Sequence, residues 1–221
     1  MAQSLVIDFD FTQLEGGKLR FETASDFLAK LDNIKLDPVI EARYLSGKPI
    51  LDGVTALFQK VKTKKTAVKA TRDLATEFRK ALNTAIPSGI TNAFKNFLKA
   101  LTDKGVKVYL VSRCDPKQAE TLFGSVLSDS VTLLTTEPSG YDFIDCVSCM
   151  QLLGGKSLTR GTVALMVGTG PAVKAALQLG LRSIAVIHDH VAYQDFTGAN
   201  AVLNELSGKT AKKVLELLHV A

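Results

Sequence analysis

The residues best suited to chemistry stand almost at the start of the chain, in the stretch SLVIDFDFTQ at positions 4–13. Asp8 and Asp10 lie two apart just beyond a short apolar run, and Thr12 follows at the same spacing. One carboxylate so placed could attack phosphorus while the other gives a proton to the leaving oxygen. A divalent cation between them would neutralise charge. An isolated Asp-x-Asp at a strand end more often simply begins a turn. The elements around it therefore decide which reading holds.

Residues 4–9 are apolar, few and ended by acids, which predicts a short buried strand. The texture then changes. Segments 23–36, 38–45, 50–61 and 66–82 carry apolar residues at helical spacing without strand signals, so residues 16–85 read as an all-helical insert. Beyond Pro87 the pattern alternates. An amphipathic helix over 88–105 has Ala93, Phe94, Phe97, Leu98 and Leu101 as its stripe and Gly105 as its stop. Strands follow at 106–112, 131–136, 162–168 and 183–187, separated by helices over 116–126, 141–153 and 171–179 and closed by a helix over 210–218. Continuous apolar strands alternating with helices imply an α/β fold, a Rossmann-like parallel sheet of about five strands covered on both faces. The core would comprise residues 1–15 and 86–221, and the insert would leave at the carboxyl edge where open α/β sheets bind ligands.

Bulk composition narrows the classes. The chain has 221 residues, 46% of them hydrophobic and 22% charged, which fits one globular core with an insertion. Cys114, Cys146 and Cys149 make an odd number, and no secretory apolar region opens the chain, so a cytoplasmic location is expected. No apolar run is long enough for a membrane span.

Three stretches together resemble the haloacid dehalogenase (HAD) superfamily. LVIDFDFTQL is similar to its first motif, usually Asp-x-Asp-Gly-Thr/Val; GITNAFKNFLKALTDKGVKVYLVSR resembles its second; and VALMVGTGPAVKAALQLGLRSIAVI resembles its fourth. The helical insert matches the position of that family's C1 cap. The resemblance covers nearly the whole chain. It implies that Asp8 is the nucleophile and Asp10 the general acid. The Asp8 carboxylate and the Asp10 main-chain carbonyl would contact magnesium, and Thr12, Ser112 and Arg113 would hold the phosphoryl group.

The sequence departs from the family at three places. Phe11 replaces the usual Gly, which removes Gly-only dihedrals after Asp10. The fourth motif lacks the acids that complete the magnesium shell, offering Gly168-Thr169-Gly170 instead, so Thr169 and Gly170 are the substitutes at that place. The third motif offers Ser139 and Gly140 where the family has Lys. A phosphate dianion beside Asp8 meets about 4 kcal/mol per unit pair at 4 Å and a dielectric near 20, so one missing cation risks roughly a thousandfold in rate. Lys156, Arg160 or Lys174 could supply charge, and Asp142, Asp145 or Asp189 could reach a metal, although each also suits a solvated surface.

Other features carry less. Cys146-x-x-Cys149 could serve redox or zinc chemistry, yet without a second such pair core packing is the simpler reading. HDHVAYQD at 188–195 has two His and two Asp for a metal shell, or forms a solvated loop. Lys60, Lys62, Lys64, Lys65, Lys69 and Arg72 could steer an anion, but no aromatic residue is interleaved, so nucleic acid is not the expected partner. The Gly168–Gly170 turn could cradle an anion, although Val173 breaks a dinucleotide fingerprint. The expectation is slow, magnesium-assisted hydrolysis of a small phosphorylated metabolite through an aspartyl-phosphate on Asp8. The alternative is a catalytically inactive HAD-like protein that binds an anionic ligand or protein partner.

Overall fold

The computed structural model describes residues 3–138 and 161–220. The helix expected over 141–153 lies outside them, as do Ser139, Gly140, Asp142, Asp145, Cys146, Cys149, Lys156 and Arg160.

The core is a six-stranded parallel sheet in the order β3-β2-β1-β4-β5-β6. Its strands are β1 (Ser4–Asp8), β2 (Lys107–Ser112), β3 (Val131–Thr135), β4 (Val163–Val167), β5 (Arg182–Val186) and β6 (Ala201–Leu203). Six strands replace the five expected. The addition, β6, has only three residues, too few for a periodic signal, and Val202 at its centre is exposed. β1 is central, bonded to β2 on one side and β4 on the other. Strand order reverses between β1 and β4, so a crevice opens beyond their carboxyl ends.

Alternation along β1 divides the core. Leu5 and Ile7 face a layer built with Phe94 and Phe97 of α6 (Asn92–Thr102) and Val214 of the last helix. Val6 faces the opposite layer with Val173 and Ala176. Phe9 anchors the first layer, edge-on to Phe94 at 5.4 Å and Phe123 at 4.9 Å. The helix expected over 116–126 shortens to α7 (Ala119–Phe123).

Between β1 and α6 lie α1 (Phe9–Gln13), α2 (Gly16–Asp32), α3 (Pro38–Tyr44), α4 (Ile50–Val61) and α5 (Ala67–Gly89). The last four share a separate core around Leu28, Val54, Leu57 and Leu74. α5 runs past its expected end through Pro87 to Gly89. The segment containing Asp10 is helical because nothing in Phe9–Gln13 breaks a turn, and the Thr12 hydroxyl bonds the Asp8 carbonyl at 2.8 Å. Phe11 then packs with Phe78 and Leu82 of α5, joining the core to the helical layer.

On the far side are α8 (Gly170–Gln178), one turn of 3₁₀ helix (Asp189–Val191) and α9 (Gly208–Leu217), the last opened by a Ser207–Thr210 capping box. No described helix is long and apolar enough to cross a membrane.

One glycine fixes how close the two loops of the crevice can lie. A Cβ on Gly168, just after β4, would stand 1.9 Å from the Phe11 carbonyl oxygen. Gly168→Ala should therefore destabilise the protein by about 3 kcal/mol or more, because backbone must move. Gly208→Ala, whose Cβ would find Asn96 at 4.0 Å, should stay within about 0.5 kcal/mol. Urea unfolding of both variants checks the contrast.

Candidate active site

β1 ends on Asp8 and β2 ends on Ser112, and the parallel register sets Asp8 beside Val111. The first turn of α1 therefore carries Asp10 over the end of β2. There the Ser112 hydroxyl donates to Asp10 Oδ1 at 2.7 Å, and the Arg113 main-chain N–H donates to Oδ2 at 2.7 Å. The Cys114 N–H donates to Ser112 Oγ at 3.1 Å, which fixes the hydroxyl from behind.

Arg113 turns back over both acids. Its Nη1 donates to Asp8 Oδ1 at 2.9 Å and its Nη2 to Asp8 Oδ2 at 3.1 Å, a two-pronged pair. Nη1 also reaches Asp10 Oδ2 at 3.2 Å. The guanidinium carbon stands 4.9 Å from the centre of the Phe11 ring, completing a closed setting. Asp8 is 1% exposed, Asp10 0% and Arg113 2%.

Burial governs the protonation of this cluster. Loss of solvent pushes the Asp10 carboxyl from its ordinary 3.8 up to about 6; attraction to Arg113 opposes that rise, and repulsion from Asp8 adds to it. Burial likewise disfavours the charge on Arg113, but Asp8 and Asp10 outweigh it and hold the guanidinium more firmly protonated than usual. Two carboxylates and one guanidinium leave one excess negative charge, which a proton on Asp10 relieves only as pH falls through about 6.

Asp8, Asp10, Thr12, Ser112 and Arg113 thus enter one network. Arg113 holds Asp8 and Asp10, and the Thr12 hydroxyl is bonded to the Asp8 carbonyl. Thr169 caps α8 by accepting from the Ala172 N–H at 3.4 Å, and the Gly170 N–H donates to Gln194 Oε1 at 2.8 Å. A Cβ on Gly170 would meet the Asp195 carbonyl oxygen at 2.5 Å, so the turn offers no open anion cradle.

Among the described residues the donors do not fit a magnesium ion. Both Asp8 oxygens accept from a guanidinium, which brings positive charge to the donors a cation would need. The fourth motif adds a hydroxyl and no acid. Among the described residues no group of three or more His, Cys, Asp or Glu could hold a metal. Asp189 is exposed, and Lys174 pairs with Asp195 at 3.2 Å. The expected His–Asp shell at 188–195 is dispersed: His188 Nε2 lies 3.1 Å from the Thr12 carbonyl oxygen, and His190 packs on Phe21 at 5.3 Å.

That same loop fastens the core to the helical layer. Gln194 holds Gly170 and, through Nε2, donates to Ser46 Oγ at 3.3 Å; Tyr193 reaches Glu41, which pairs with buried Arg20. Sequence reasoning missed Gln194 and Tyr193, whose types carry no motif. It also missed the Arg113–Asp8 pairing, for which an extra cation beside two missing family features was the available signal.

No protein-family model matches the chain, and no curated protein matches it by sequence. Solved structures do. β-Phosphoglucomutase from Clostridium difficile aligns at 11% identity with a TM-score of 0.69, covering 99% of this chain and 98% of that one. CbbY from Rhodobacter sphaeroides, in complex with phosphate or with xylulose-(1,5)bisphosphate, aligns at 14% and 0.65, covering 93% and 95%. A phosphonoacetaldehyde hydrolase-like protein from Oleispira antarctica aligns at 12% and 0.66, covering 98% and 94%. The chain shares its fold with these solved structures.

Two outcomes follow from the cluster. Arg113→Met should cost about 3–5 kcal/mol in urea unfolding, since it leaves buried carboxylates uncompensated. The raised Asp10 pKa contributes stability that is full below about pH 4 and is lost as pH rises through about 6, because the folded state holds the proton longer. Asp10→Asn should flatten that slope, whatever its effect on absolute stability.

Proposed function

We propose that this chain is a non-hydrolytic HAD-fold protein that binds a small phosphorylated or otherwise anionic molecule without turning it over. The supporting observation is the two-pronged hold of Arg113 on Asp8. Attack on phosphorus needs an Asp8 oxygen that can leave its partners and approach a substrate to about 3 Å. Here both oxygens accept from one buried guanidinium. Breaking a buried pair costs roughly 3–5 kcal/mol, and each 1.4 kcal/mol is tenfold in rate.

Asp10 adds to this reading. A carboxyl with a pKa near 6 suits a general acid in principle. Both of its oxygens, however, accept from Ser112 or Arg113, and these bonds compete with a proton carried toward a leaving group.

A ligand class is supported by the fold: CbbY in its solved structures carries phosphate or a sugar bisphosphate. Helices α2–α5, residues 16–85 by the sequence reading, serve in this proposal as a cap. The Gln194 and Tyr193 contacts hold that cap against the core. Cys114 as a buried thiol suits a reducing cytoplasm.

A second reading keeps the enzyme: Asp8, Asp10 and Ser112 are joined in one bonded network, the arrangement a slow phosphatase would retain. Purified protein assayed against a panel of phosphomonoesters with magnesium, beside Asp8→Asn and an EDTA control, separates the two. No turnover above the Asp8→Asn background is expected. Turnover abolished by both controls would overturn the non-hydrolytic reading.

A further inference from the structure

A groove away from the Asp8 cluster has the makings of a binding site. It runs along α5, whose Val68, Thr71, Arg72, Ala75, Thr76 and Arg79 recur at helical spacing on one face. Leu51 of α4 and the Glu137-Pro138 segment after β3 form the facing wall, enclosing about 420 Å³. Thr71 and Arg79 stand eight residues apart along it, with Ala75 between them.

Among the described residues, two polar atoms at these positions lack hydrogen-bond partners. Thr71 is 5% exposed, and its Oγ1, shut off from solvent, has no hydrogen bond among the described residues. Arg79 Nε is equally enclosed and unbonded. Leaving such groups unpaired is costly, and a helical Thr has the carbonyl four residues back within reach as an alternative partner. Arg79 Nη2 meets Glu137 at 2.7 Å, but that glutamate is 75% exposed, so the pair is weak and open to exchange. An oxyanion that displaced the exposed Glu137 carboxylate would meet the Nε edge of Arg79 as a two-donor fork. Exposed Arg72 adds a second positive charge near the Thr71 end. Eight helical steps from Thr71 to Arg79 span about 12 Å, the length of a small extended molecule.

We propose that this groove binds an elongated organic anion. Its phosphate or carboxylate sits on the Nε edge of Arg79. Its apolar body lies over Ala75 between Leu51 and Pro138. An acceptor at its far end takes the Thr71 hydroxyl. The proposal deepens the non-hydrolytic reading by giving the anion a place separate from Asp8.

4-Nitrophenyl phosphate is the probe, because it has this shape and reports hydrolysis by colour. Calorimetry on the full chain in EDTA should show it binding, with 4-nitrobenzyl alcohol not binding. 4-Nitrobenzoate, run alongside, distinguishes a preference for phosphate from one for carboxylate. Arg79→Gln should weaken binding about tenfold or more, by loss of a charge-assisted bond. Thr71→Val, of nearly the same shape and with no protein bond to lose, should keep the fold and weaken binding several-fold. Absence of binding to the wild type, or unchanged affinity in either variant, overturns the groove as the site. Release of nitrophenolate with magnesium overturns the non-hydrolytic reading instead, while the affinities in EDTA still judge the groove.

Discussion

The arrangement of the carboxyl edge follows from one electrostatic constraint: two aspartates at the end of the central strand are sealed from water and share one guanidinium. A buried carboxylate needs a partner of opposite charge or a proton. Arg113 meets that need because it follows Ser112 directly, where β2 ends beside β1. The closing surfaces then have fixed identities. Phe11 provides the ring beneath the guanidinium, and Gly168 allows the neighbouring loop to approach the turn that carries it. An open, metal-filled crevice would call for the reverse: acids on the β4 loop and a flexible residue after Asp10.

Much of the fold was legible because buried parallel strands write themselves as unbroken apolar runs. KVYLV, VTLL and VALMV need no partner to be recognised. The insert was legible for the complementary reason, as apolar residues at helical spacing with no strand signal. What escaped was short or relational. β6 is three residues long, and α5 passes through Pro87, which punctuates without ending the helix there. Asp8, Asp10, Ser112 and Arg113 were identified as a group, but their mutual bonds were not. Arg113 bonds both carboxylates, a relation between residues about a hundred positions apart that no local pattern states. Gln194 had no legible role, since its meaning lies in Ser46 and Gly170, neither of which is near it in sequence.

The loop at 188–195 and the Phe11–Phe78–Leu82 contact join the helical layer to the sheet by different means. The first is polar and directional, through Gln194 and Tyr193. The second is apolar and tolerant of small shifts. Together they hold the layer at two separated points. Parting it from the core would have to expose both a hydrogen-bonded seam and a buried aromatic ring.

Chain order gives the Arg113 cluster a history in time. Asp10 and Arg113 are 103 residues apart, and the whole helical insert is made between them. At ~5–20 residues per second, the ribosome delivers Arg113 roughly 5–20 s after Asp10. During that interval the insert can settle around its own apolar centre, while Ser4–Asp8 has neither neighbouring strand to pair with. The two aspartates spend this period hydrated and charged, keeping the end of an otherwise sticky segment in water until β2 arrives to enclose them.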